Sequence, residues 1–144
     1  MALPTRDDIN VFDSLDEQSA CEHFFGKDLK QAETMFQDNS MAYQEDLMWM
    51  GPRAFRYYIE AAKAYVENED SANDSSFISA LSVTLAFRAE HEPMEMAPIS
   101  RLLAGACHYI LENWDKFRMI PEFYAPCRDD YIMLEQSFSR MAKN

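Results

Sequence analysis

From Pro52 to Glu67 the sequence reads PRAFRYYIEAAKAYVE, and only five of its side chains are charged. Spaced 100° apart on a helix, Phe55, Tyr58, Ile59, Ala62, Tyr65 and Val66 cover one side. Ala54, Ala61 and Ala64 continue the apolar surface around the back, with Tyr57 beside them. Only a narrow stripe is polar: Arg53, Arg56, Glu60, Lys63 and Glu67. Arg56–Glu60 and Lys63–Glu67 fall four residues apart and can pair, for about a few tenths of a kcal/mol each. A helix with so little polar surface is one that other helices surround. Gly51-Pro52 punctuates its start, and Pro52 suits the first helical position, where no N–H is needed. The expectation is an all-α, single-domain bundle of six or seven helices around a central helix near residues 52–67.

The rest of the chain agrees with that class. It holds 3 glycines and 6 prolines against 10 methionines, which disfavours turn-rich β architecture. Ser14 can cap a helix, Glu17 three residues later completes a capping box, and Gly26 ends it. A second helix carries Leu29, Ala32, Met35 and Phe36 on one face and stops at Asn39, and Ser40 can cap a third that runs through Met48. ENEDSANDSS, residues 67–76, reads as a loop. It fails as a calcium loop, lacking glycine at the sixth position and glutamate at the twelfth. Asp74 or Ser75 caps a helix to about His91, stopped by Pro93. HEPMEMAP is a connector, and Pro98 begins a helix expected to reach Phe117. Beyond MIPEFYAP a last helix repeats Tyr131, Leu134, Phe138 and Met141. No repeat or linker divides residues 1–144, and residues 1–13 are expected to be irregular.

Charge narrows the functional classes. The net charge is −12 from 25 acids and 13 bases. Residues 1–46 hold 11 of those acids and only 3 bases. Such a surface does not suit nucleic acid or an anionic membrane. It suits solubility, or docking of a basic partner through Asp7, Asp8, Asp13, Asp16, Glu17 and Glu22. MALPTRDDINVF does not read as a secretory signal, and no apolar run reaches membrane-spanning length, so the expected location is the cytoplasm. Cys21, Cys107 and Cys127 are widely spaced and read as free thiols, two of them buried.

Catalytic chemistry is scarce. Three glycines leave no room for a phosphate loop, and there is no HExxH. His108 lies on a polar helix face four residues before Glu112, as a solvated neighbour. Glu90, His91, Glu92 and Glu95 are the one local cluster with ligand chemistry, but they sit at a helix end before a proline. Arg88 falls on the apolar stripe of Phe77, Leu81, Thr84 and Leu85, so it must snorkel at the helix end or meet a carboxylate, and it is the first choice for a buried ion pair. No cofactor and no metal is expected, and the balance leans away from an enzyme.

At QEDLMWMGPRAFRYYIEAA the chain resembles uncharacterised bacterial proteins that carry Pro-x-Ala-Phe-Arg-Tyr-Tyr at the start of a helix. FGKDL and FRAEHEP are similar to further parts of that pattern, over about residues 24–117. The resemblance implies a small helical protein, with no assigned activity and no functional residue to carry over. The leading expectation is a non-enzymatic, acidic protein-binding domain, of which an immunity- or inhibitor-type protein is a concrete version. One alternative is a ligand-binding or enzymatic pocket between helices, lined by Trp49, Tyr57 and Tyr58 and reached by Arg53 or Arg88. Another is a structural homo-oligomer that uses exposed residues such as Trp49. Trp49, Arg53, Arg56, Tyr57 and Arg88 are the candidate cleft or surface.

Overall fold

The computed structural model describes residues 2–143, and the fold is an all-α bundle with no strand among the described residues. The backbone divides into two compact units, residues 1–65 and 66–144, with the boundary inside a helix.

In the first unit, α1 spans Arg6–Ile9, α2 Leu15–Phe24, α3 Leu29–Trp49 and α4 Pro52–Glu67, the last crossing into the second unit. Three capping boxes start α1, α2 and α3: Thr5 with Asp8, Ser14 with Glu17, and Asp28 with Gln31. Each satisfies N–H groups that a helix start leaves open. Gly26, at φ +80°, follows the end of α2 as the sequence leads one to expect.

Two expectations need correction here. Residues 2–13 are not irregular throughout, because Arg6–Ile9 form α1 and bury Ile9 completely. The Gly51 N–H donates to the Ile9 carbonyl at 2.9 Å, and a Cβ on Gly51 would collide with the Asp8 carbonyl and the Val11 side chain. The Gly51 position is therefore a close approach of two backbone segments, not only a helix boundary. The break in α3 is capped by Asn39 rather than Ser40. Asn39 leaves helical geometry (φ −153°, ψ 77°), and its Oδ1 accepts the Ala42 N–H at 3.4 Å.

The core of this unit is aromatic. Phe24, Phe36, Phe55 and Tyr58 are fully buried, with the Phe24 and Tyr58 rings 4.7 Å apart. The Tyr58 hydroxyl lies 2.8 Å from the Phe24 carbonyl and 2.9 Å from the Lys27 carbonyl, so one proton serves two acceptors where α2 ends. Burial, with Tyr57, Asp28 and Cys21 nearby, pushes this phenol up to about 12. Along α4 the polar stripe is Arg53, Arg56, Glu60, Lys63 and Glu67, and even Arg56, Glu60 and Lys63 are half-buried.

The second unit contains α5 (Ser75–His91), α6 (Pro93–Met96), α7 (Ser100–Glu112) and α8 (Pro121–Lys143). Its core includes Phe77, Ile78, Leu103, Cys107, Ile110, Phe117, Tyr131 and Phe138. Asp74 caps α5 through the Phe77 N–H at 3.4 Å. The polar stretch before it holds a 3-10 turn, Glu69–Ser71, whose Ser71 hydroxyl is buried against the Val66 carbonyl at 2.8 Å.

The expected connector after Pro93 is the short helix α6 followed by a 3-10 turn, Ala97–Ile99. The helix expected from Pro98 to Phe117 is α7 alone, and a 3-10 turn, Trp114–Phe117, carries the remainder. The backbone leaves helical geometry at Asn113 (φ −118°, ψ 29°), where the Tyr109 carbonyl accepts both the Asn113 N–H at 3.0 Å and its side-chain amide at 2.8 Å. Lys116 then donates to the Val66 carbonyl at 2.7 Å and the Asn68 carbonyl at 2.9 Å, placing a cation where α4 leaves its carbonyls open. The last helix also starts earlier than expected, at Pro121. Tyr124 breaks it (φ −130°, ψ 19°), and Pro126 then lies within the first residues of the restarted helix.

Candidate functional site: the acidic turn before α2

Between α1 and α2 the chain turns through Asn10–Ser14, and that turn is pinned from below by one carboxylate. Glu17 Oε1 accepts the backbone N–H of Val11 at 2.9 Å and of Phe12 at 3.0 Å. Its Oε2 accepts the Ser14 N–H at 3.2 Å and the Ser14 hydroxyl at 2.7 Å. Burial works against this charge, but the Ser14 hydroxyl and the three N–H groups outweigh it and hold the carboxyl below its ordinary value. Above the turn, Asn10 and Asp13 bond each other reciprocally at 2.8 and 3.0 Å, and the Gln18 amide donates to Asp13. Those contacts support Asp13 at φ +61°, a conformation that aspartate tolerates better than most residues.

The outcome of this order is an exposed apolar tip. Phe12 is 86% exposed and Leu15 83%. Val11 adds a partly exposed methyl surface. Asp7, Asp13, Asp16 and Glu22 are exposed as well. Of the six acids read as a docking rim, two stand differently. Glu17 is buried and acts as the staple of the turn. Asp8 is half-buried, accepting the Thr5 N–H at 2.8 Å and lying 4.0 Å from Arg53. A shallow depression of about 570 Å³, lined by Leu3, Pro4, Arg6, Asp7 and Phe25, belongs to the same N-terminal segment, with Arg6 over the Phe25 ring at 4.1 Å.

The other candidates stand in different settings. Trp49 is exposed and its indole N–H donates to Glu45 at 3.1 Å. Arg53 is exposed beside Asp8, and Arg56 is half-buried on α4. Tyr57 is buried edge-on to Tyr58, with ring centroids 4.9 Å apart. Burial, Asp28 and Glu60 raise its phenol above the ordinary value.

Arg88, in the second unit, is 2% exposed and pairs with Glu92 at 2.8 Å, the ion pair its place on the apolar stripe implies. Burial holds its guanidinium below the ordinary value, and Glu92 offsets only part of that. Glu92 is thereby committed, and His91 packs on Phe87 at 4.6 Å. Among the described residues no three His, Cys, Asp or Glu side chains are arranged to hold a metal ion. His108 is exposed between Glu112 at 3.7 Å and Glu135 at 3.1 Å.

One pair escapes the sequence. His23 Nδ1 meets Asp46 Oδ2 at 2.6 Å, joining α2 to α3. Burial raises the Asp46 carboxyl, the hydrogen bond and charge of His23 pull it down, and Glu45 and Asp16 push it up again. The signal was present, since Tyr43, Asp46, Leu47 and Met50 recur at helical spacing. A carboxylate on that apolar stripe needs a partner just as Arg88 does.

Compared with protein-family models, with curated proteins and with solved structures, the chain matches none.

Proposed function

We propose that the chain is a non-enzymatic protein-binding domain that docks a basic partner through the Asn10–Leu15 turn, as an inhibitor- or immunity-type protein would. The observation that carries this reading is that Phe12 and Leu15 are held out in solvent by a turn whose Val11, Phe12, Asp13 and Ser14 N–H groups are all hydrogen-bonded. Most large apolar side chains are buried, and exposing two within four residues forfeits about 1.5–3 kcal/mol each that burial would supply. A partner with an apolar pocket recovers that energy. Because Glu17 has already ordered the turn, little entropy is lost on docking.

The roles then separate. Asp7, Asp13 and Asp16 set the encounter rate with a basic surface, and Phe12 and Leu15 set the lifetime of the complex. The test starts by placing a photo-crosslinking side chain at Phe12 to capture a partner, followed by binding kinetics with that partner purified. The F12A/L15A variant is expected to dissociate at least about tenfold faster, and D13N/D16N to associate more slowly with a flatter salt dependence. Dissociation unchanged in F12A/L15A, together with an association rate indifferent to salt, overturns the reading.

A further inference from the structure

We infer that the groove between α5 and α8 pairs two copies of this chain, with their α8 helices antiparallel. The groove has a volume of about 520 Å³ and belongs wholly to the second unit. Its α5 wall is built from Ser82, Val83, Ala86, Ala89 and Glu90, while Asp130, Met133 and Arg140 line it from α8. Val83 is 61% exposed and Met133 67%, so two apolar side chains lie uncovered in a groove whose other lining is largely polar. Beneath it Leu134 is buried, and the Cys127 thiol meets the Ser82 hydroxyl at 3.8 Å.

The charge pattern selects the occupant. Asp130, Met133, Ser137 and Arg140 follow one another at steps of three, four and three, which places them on one face of α8. Asp130 and Arg140 are both exposed and lie about 15 Å apart along α8. An acid at one end and a base at the other make the strip complementary to itself in one direction only. A two-fold axis across α8 near Glu135 sets Asp130 against the partner's Arg140, and does so twice. It also sets Met133 against the partner's Ser137, a long side chain against a small one. A parallel pair would set Asp130 on Asp130 and Arg140 on Arg140, which like charge opposes. Symmetric pairing of this kind is isologous and closes at two copies.

Sedimentation velocity on the full chain at about 100 μM tests it, a concentration at which micromolar association is complete. The wild type is expected to sediment as a dimer. D130R and R140D are each expected to be monomeric, the D130R/R140D double reversal to be dimeric again, and F12A/L15A to stay dimeric. M133K offers a second route to the monomer, and circular dichroism establishes that each variant keeps its helices. A monomeric wild type, a dimer indifferent to either single reversal, or a double reversal that stays monomeric overturns the inference.

Discussion

Glu17 concentrates the account at the scale of one side chain. Four hydrogen bonds converge on its carboxylate, and removing the charge weakens all of them together. Glu17→Gln is expected to cost about 1–3 kcal/mol in urea unfolding, within the range for hydrogen bonds to a charged group. The pH dependence has a definite sign. The folded carboxyl is held below its ordinary 4.5, so its stabilisation is complete above that value and is lost as pH falls through the depressed one. Tyr58→Phe tests the other buried polar anchor, since it leaves the Phe24 and Lys27 carbonyls without their shared donor. A loss of about 1–3 kcal/mol is expected in the same measurement. Part of this was legible from residues alone: Ser14 and Glu17 stand three apart, and that spacing names a capping box. The two bonds from Glu17 to Val11 and Phe12 were not, because a turn has no period to read. Asp46 was readable by the reasoning used for Arg88, and its partner was not, because 23 residues separate it from His23.

At the scale of elements, Gly51 links the start of α4 to α1. Gly51→Ala forces its new methyl onto the Asp8 carbonyl and Val11, so α1 and the turn after it must move. The expected cost is about 1–3 kcal/mol, read as a lower melting temperature. Partner binding is expected to weaken with it, although Gly51 itself lies outside the turn. The sequence marks Gly51 only as punctuation, because nothing local shows that another backbone lies against it. Helix starts were the most legible elements, since Ser14, Pro52 and Asp74 announce themselves chemically. Breaks were not. Ile110, Trp114 and Phe117 keep an apolar spacing that an α-helix and a 3-10 turn both satisfy, so the stop at Glu112 leaves no mark in the periodicity. The all-α class was legible from the aromatic and alanine surface of residues 52–67, where burial follows the expected stripe closely.

For the molecule as a whole, the excess of acids fits the proposed docking of a cation, and the three thiols lie away from solvent. Cys21, Cys107 and Cys127 are all buried rather than two of the three, and burial with the Glu135 charge pushes the Cys107 thiol up to about 12. Disulfide-exchange reagents are therefore expected to label the native chain at least about a hundredfold more slowly than the chain in guanidinium, because the thiolate is the reactive form. Cys21 reports on the first unit and the other two on the second. Against those buried thiols the tip at Phe12 and Leu15 stands out as apolar surface kept in water by design of the turn beneath it. The order of that turn is the premise of the proposed docking, and amide hydrogen exchange at Val11 and Phe12 in the full chain at neutral pH measures it. Both amides are expected to exchange at least about a hundredfold more slowly than in an unstructured peptide, and to lose that protection in Glu17→Gln. Exchange of both at the unstructured rate in the wild type would contradict it.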